Sequence, residues 1–276
     1  MVERPTLTHI GGPSLLIELA GWRILVDPTF DPPGRRYSFG WGTSSVKTAG
    51  PALAAADLGP IDVVLLTHDQ HADNLDDAGR ELLPAAGEVI TTAAGAKRLR
   101  GVDGLGAVVG LKPWNTAEID AHGGTNGAAA PDRPPLTVTA TPARHGPRFS
   151  KPIVGDVIGF AISIGDRPET AIWITGDTVL HSGLRDTAAR LDVDVAVLHL
   201  GGVRFPITGG LQYTMTASGA AELVELVRPR RAVPVHFDQW SHFHEQGAAA
   251  REVLDNASAY VRERVLWLTE GVPREV

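Results

Sequence analysis

Between positions 68 and 76 the chain reads His68-Asp69-Gln70-His71-Ala72-Asp73-Asn74-Leu75-Asp76, so five of nine residues carry an imidazole or a carboxylate. The 276 residues include no cysteine, which excludes disulfides, thiolate nucleophiles, cysteine-held iron–sulfur clusters and cysteine-ligated zinc. A transition-metal site must then be built mainly from His, Asp and Glu, and ten histidines are present. Neutral imidazole and carboxylate are the ligands a borderline dication takes in such a protein. The same segment also reads as a helix start whose aspartates cap the helix and face its dipole. Taken alone, it leaves both readings open.

Four metal-competent residues share one kind of position. His68, His145, Asp177 and His236 each stand at or just after the end of a short apolar run. Side chains at the ends of neighbouring strands converge on one point at a sheet edge, provided that the strands are neighbours. Asp69 is a candidate base outside the ligand set, or a residue that holds a histidine ring in place. His199 reads as structural or as a partner to a ligand, and His242 and His244 as pocket wall before substrate contact. His9, His122 and His181 have no patterned context. Arg204, Tyr213 and Met215 are expected on a loop over the site. No Gly-x-Ser-x-Gly elbow and no Walker-type glycine loop occurs, so serine-hydrolase and nucleoside-triphosphatase readings have no motif to rest on.

The elements that would position these residues are legible from periodicity. Runs 6–10, 14–19 and 22–26, separated by glycine turns, predict an antiparallel meander ending at Asp27-Pro28. Residues 30–59 read as a long loop beside a pocket, with a short helix at 52–56. Further strands are expected at 61–66, 89–92, 107–111, 116–119, 136–141, 155–164, 171–174, 194–200, 232–236 and 265–268. Helices are expected at 75–83, stopped by Pro84, at 93–99, from Thr216 or Ser218 to 226, and at 245–256. Residues 123–135 read as a flexible hairpin loop.

Composition narrows the class. Hydrophobic residues make up 43% and charged residues 21%, ordinary for a globular protein with a sizeable core. Apolar runs such as 63–66 and 195–198 are too short to span a bilayer, and the N-terminus lacks a signal-peptide pattern, so a cytoplasmic protein without membrane insertion is expected. A net charge of −7 argues against nucleic acid as a partner. A small-molecule substrate is expected, and a homo-oligomer stays open.

The segment 68–76 resembles the His-x-His-x-Asp-His signature of the metallo-β-lactamase superfamily. Asp73-Asn74-Leu75-Asp76 mirrors its Asp-His-Leu-Asp, which makes His71 the second histidine. One inserted residue gives His68-x-x-His71, and Asn74 replaces the final histidine. Gly11-Gly12, Leu25-Val26-Asp27-Pro28, Thr141-Pro142-Ala143-Arg144-His145, Thr175-Gly176-Asp177-Thr178 and Pro234-Val235-His236-Phe237-Asp238 resemble further motifs of that family in order. The likeness is strongest to the branch of ascorbate-phosphate lactonases and N-acyl-phosphatidylethanolamine phospholipase D.

The resemblance implies a four-layer αβ/βα sandwich of two mixed sheets, formed by residues 1–276 as one domain. It implies a first metal on His68, His71 and His145, and a second on Asp73 and His236 with Asp177 bridging. One or two zinc ions are expected, with manganese or iron as alternatives, because an amide at 74 suits harder ions better. The implied function is hydrolysis of an ester, lactone or phosphodiester bond in a small molecule. The metal lowers the pKa of water to about 7, and Asp73 or Asp177 orients it or takes its proton. Two rivals are carried: an inactive binding protein on the same scaffold, and a di-iron redox enzyme.

Overall fold

The computed structural model describes residues 4–121 and 133–276. Strands β1 (Thr6–Gly11), β2 (Ser14–Leu19) and β3 (Trp22–Val26) form the antiparallel meander. The chain then adds β6 (Val63–Leu65), β7 (Glu88–Thr92) and β8 (Ala107–Leu111) parallel to β3. With the short β15 (Arg274–Glu275) they form a seven-stranded sheet ordered β15-β1-β2-β3-β6-β7-β8. The second sheet repeats the plan. Antiparallel β9 (Thr116–Ile119), β10 (Leu136–Pro142), β11 (Ile158–Ile164) and β12 (Thr170–Ile174) are followed by parallel β13 (Val193–His199) and β14 (Arg231–Val235).

Alternation along the strands builds the layers, because successive strand side chains point to opposite faces. Leu15 and Ile17 on β2 join Val195 and Val197 on β13 in the central core between the sheets. Leu16 on β2 turns outward to meet Leu83 and Leu99, while Ala196 and Leu198 on β13 turn outward to meet Leu223 and Val224. Helices cover both outer faces: α1 (Asp77–Leu82) and α2 (Ala93–Leu99) on the first sheet, and α4 (Ser182–Arg190), α5 (Ala217–Val227), α6 (Gly247–Asp255) and α7 (Ala259–Arg264) on the second. The result is the expected αβ/βα sandwich of two mixed sheets.

Local chemistry explains the helix starts. Asp76, Thr92, Thr216 and Ser258 each accept a hydrogen bond from the backbone N–H three residues on, satisfying a donor the helix cannot. In α5, buried Ala217, Ala220, Val224 and Val227 recur every three or four residues and form its inward stripe.

Several expectations are corrected. The loop expected at 30–59 contains a hairpin, β4 (Arg36–Gly40) and β5 (Thr43–Val46), and the helix expected at 52–56 is a 3₁₀ turn at Ala55–Leu58. The strand expected from 155 starts at Ile158, after a one-turn helix α3 (Lys151–Val154). Helices α4 and α7 form where no helix is expected. The strand expected at 265–268 is one parallel bridge between Val265 and Ala232. Of the loop expected at 123–135, residues 123–132 lie outside the described residues, as does His122.

Candidate metal centre

The pairing register gathers the site. Val26 pairs with Leu65, so Asp27 and the Thr67-His68 pair leave adjacent parallel strands side by side. Ile174 pairs with Val197 and His199 with Val235, so Asp177, His199 and His236 emerge at one end of the second sheet. β10 is antiparallel to β11, which is antiparallel to β12, so β10 runs with β12 and delivers His145 to the same end. The two sheets meet there: Ile158 N–H donates to Thr67 O at 3.2 Å. Asp27 (φ 40°) and His236 (φ 59°) hold left-handed conformations at this edge. Such strain costs about 1–3 kcal/mol and tends to collect at functional sites.

His68, His71 and His145 form one buried cluster. His71 Nδ1 lies 3.1 Å from both His68 Nε2 and His145 Nε2. Outer partners fix the two flanking rings. His145 Nδ1–H donates to Tyr213 O at 2.9 Å, which leaves its Nε2 a lone pair. The Thr67 hydroxyl donates to Asp27 Oδ2 at 2.8 Å, so His68 Nδ1–H donates to Thr67 Oγ1 at 3.1 Å and its Nε2 is also a lone pair. His71 Nδ1 can carry one proton at most, so it cannot satisfy both neighbours. A cation accepting all three lone pairs fits this geometry. Burial and the neighbouring rings hold His68 well below the ordinary histidine range and His145 down to about 3; burial also lowers His71. All three are kept in the neutral form that binds metal.

Asp73, Asp177 and His236 form a second buried cluster beside the first. His236 Nε2 is 3.5 Å from Asp73 Oδ2, and His236 Nδ1 is 3.3 Å from Asp177 Oδ1. Among the described residues, Asp73 Oδ1, both Asp177 oxygens and His236 Nε2 are buried without a hydrogen-bond partner. Leaving such atoms bare is costly, and this concentration of them suits a cation. Burial pushes the Asp177 carboxyl up to about 7. Burial works against a charged His236, but Asp177 and Asp73 raise it to about 9. Burial likewise opposes an ionised Asp73, yet the close approach of His236 and His242 holds it well below the carboxylate range.

The remaining residues fall behind or above these clusters. Asn74 Nδ2 donates to Asp27 Oδ2 at 3.2 Å, and Asn74 Oδ1 is buried without a partner. His199 is buried, its Nε2 3.4 Å from Asp27 Oδ2 and its ring 5.8 Å from that of His236. Asp69, expected outside the ligand set, joins neither cluster and contacts no ligand histidine ring. Arg98 grips it with two hydrogen bonds, Nε to Oδ2 at 2.7 Å and a terminal nitrogen to Oδ1 at 2.5 Å, and so occupies both oxygens.

His242 carries a contact the pattern did not specify. Its Nε2 is 3.0 Å from Asp73 Oδ2 and its Nδ1 2.6 Å from Ser45 Oγ on β5. It therefore ties the missed hairpin to the second cluster. Tyr213 and His242 line a cavity of about 240 Å³ that opens over His71, Asp73 and His145. His244 and Arg204 are exposed, and Met215 is buried against the helices of the second sheet rather than lying over the site. His181 is half-buried at the start of α4, whereas His9 is buried beside Asp238 and Glu270.

Comparison with known proteins agrees with this architecture. A family model described as the beta-lactamase superfamily domain matches residues 22–237. The chain is 26% identical over 260 residues to a UPF0173 metal-dependent hydrolase of Caldivirga maquilingensis, covering 94% of each. Among solved structures, it is similar to a possible metal-dependent hydrolase from Veillonella parvula, with a TM-score of 0.80 at 18% identity over 99% of this chain and 100% of that one. It is also similar to an isothiocyanate hydrolase from Delia radicum gut bacteria, with a TM-score of 0.78 at 21% identity over 98% of both chains.

Proposed function

The chain belongs to the metallo-β-lactamase superfamily, and we propose that this metal-dependent hydrolase cleaves an ester, lactone or phosphodiester bond of a small molecule, with up to two metal ions held at the strand-end clusters. The observation that carries the reading is the concentration of buried lone pairs without partners under an open cavity. His68, His71 and His145 would hold one ion, Asp73 and His236 the other, and Asp177 would lie between them. Zinc is the first expectation for this donor set, with manganese or iron as alternatives. A likeness to the branch of ascorbate-phosphate lactonases and N-acyl-phosphatidylethanolamine phospholipase D belongs to the same proposal, while the ordered motifs support the superfamily as a whole.

When bound, such a metal polarises the electrophile's oxygen and lowers the pKa of water to about 7. The chain's own residues supply the rest. Asp73 is kept ionised by His236 and His242, and its Oδ1 has no partner in the chain, so Asp73 would hold the second ion and orient the water beside it, with Asp73 or Asp177 taking the proton. His242 fixes the other oxygen of Asp73. Tyr213 and Thr67 fix the ring orientation of two ligand histidines through hydrogen bonds, which sharpens their lone pairs toward the ion.

Elemental analysis of the protein purified without chelator tests the reading, with Asp177→Ala alongside. About two equivalents, falling in the variant, are expected for a dinuclear site. About one equivalent restricts the site to His68, His71 and His145. No bound metal, with none taken up on titration, sinks the hydrolase reading and favours a binding protein on this scaffold.

A further inference from the structure

From the walls of the cavity we infer that the substrate is an uncharged molecule with an aromatic or aliphatic body, attacked at an acyl carbon rather than at phosphorus. The inference rests on the hydrolase reading and narrows it to uncharged acyl substrates, which sets aside the phosphodiester and the phosphate-bearing substrates named with the branch above. Apart from the metal-competent side chains, the cavity is walled chiefly by Phe39, Trp41, Ile153, Val203, Phe205 and Ile207. Among the described residues no Lys or Arg lines it, although phosphate and carboxylate groups are ordinarily gripped by such side chains. Beyond the reach of ions held at the strand ends, an anionic body would lose its hydration against this wall without a compensating charge.

The apolar wall runs without a break into the metal centre. Phe39 lies 5.4 Å from the His71 ring and 5.2 Å from that of His242, and Phe205 stacks on His242 at 5.7 Å with the planes 4° apart. An aromatic body seated on Phe39 and Phe205 would thus carry its acyl group to the ligand histidines. The rim is apolar as well: Trp41 is 74% and Ile207 67% exposed. Both rim strips meet, since a Cβ on Gly42 would come within 3.1 Å of Ile207 Cδ1. Exposed apolar side chains grouped around a cleft mark a binding site more than chance surface does. At about 240 Å³ the space falls below the range of about 300–1,000 Å³ that holds drug-sized ligands, so the molecule is small.

For an ester the step balances with water alone. The water oxygen bonds to the acyl carbon, and the acyl C–O bond breaks with its electron pair passing to the alkoxide or phenolate. That leaving group takes one water proton, and the other stays on the carboxylic acid until it ionises.

Two measurements on the protein as purified test the inference. The first compares kcat/KM for p-nitrophenyl phenylacetate, p-nitrophenyl acetate, the carboxylate-bearing p-nitrophenyl hemisuccinate and bis(p-nitrophenyl) phosphate. The second is calorimetric binding of the neutral, non-hydrolysable 4-phenyl-2-butanone. Expected is a preference of at least about tenfold for the phenylacetyl over the acetyl and hemisuccinyl esters, with ketone affinity reduced about tenfold in Phe205→Ala and Ile207→Ala. Preference for the hemisuccinate or the phosphodiester, or ketone affinity unchanged in both variants, overturns the inference while leaving a hydrolase. Ketone binding that depends on Phe205, with no turnover of any ester or diester, keeps the pocket chemistry and counts against the hydrolase reading.

Discussion

Asp73 and Asp76 stand three residues apart, both buried, and meet opposite fates. Asp76 is fully answered: Lys47 Nζ at 2.7 Å and the Asp31 N–H at 2.7 Å reach Oδ2, while the Phe30 and Gly79 N–H groups reach Oδ1 at 2.8 Å each. It caps α1, pins the loop after β3 and neutralises a lysine with no exposure. Asp73, with Asp177 opposite, keeps oxygens that no protein group satisfies. A fully bonded carboxylate holds structure, whereas a buried and unanswered one waits for a ligand. The contrast separates fold from function within one loop.

The largest expected effect breaks the answered side. Lys47→Met leaves Asp76 charged, buried and short of its cation, so denaturant unfolding should show a loss of about 3–5 kcal/mol. Metal content per folded molecule should survive, because no ligand is touched. The opposite side behaves in reverse. Asp177→Asn removes a buried charge, so the metal-free chain should be no less stable than wild type, while ester or diester turnover falls at least about a hundredfold, since even outer partners of metal ligands cost about 10–100-fold. A metal-free Asp177→Asn chain that unfolds as readily as Lys47→Met would erase the distinction.

Metal itself sharpens the comparison more gently. At free zinc 100 times its Kd, the native state gains about 2.7 kcal/mol. Thermal unfolding with and without chelator should show that gain in wild type and in Lys47→Met alike, and a reduced one in Asp177→Asn.

How much of this was legible in the sequence follows from what each residue answers to. The ligand candidates His68, His145, Asp177 and His236 could be placed because each ends an apolar run, and strand ends are local features. The meander, α2 and the Thr216 cap are local for the same reason. The hairpin at 36–46 is hard to read because its strands are short and mostly polar or half-buried and its Gly40-Trp41-Gly42 tip has loop composition, although the alternation of Tyr37 and Phe39 beside that turn is the available signal. Helix α4 carries a local signal as well, the helical spacing of its buried Leu184, Thr187 and Ala188. The roles of Asp69 and His242 could not be read locally. Arg98 lies 29 residues from Asp69, and Asp73 lies 169 from His242, so only folding decides those partners.

A third carboxylate pair gives the smallest effect and lies between the two extremes. Glu270 sits at the surface beside Asp238 and buried His9. Partial desolvation, then the Asp238 charge, pushes the Glu270 carboxyl from its ordinary 4.5 up to about 7. The folded chain therefore holds this proton more tightly than the unfolded chain does. Its stabilising contribution is complete below about pH 4.5 and is lost as the pH rises toward about 7. Glu270→Gln keeps a neutral side chain throughout, so its stability relative to wild type should rise across that window and level off above it. At so exposed a position the change should not exceed about 1 kcal/mol. Denaturant midpoints of both proteins at pH 5 and pH 8 would show it. A difference that does not change between the two pH values would mean that Glu270 is solvated like any surface glutamate, leaving unanswered carboxylates confined to the metal centre.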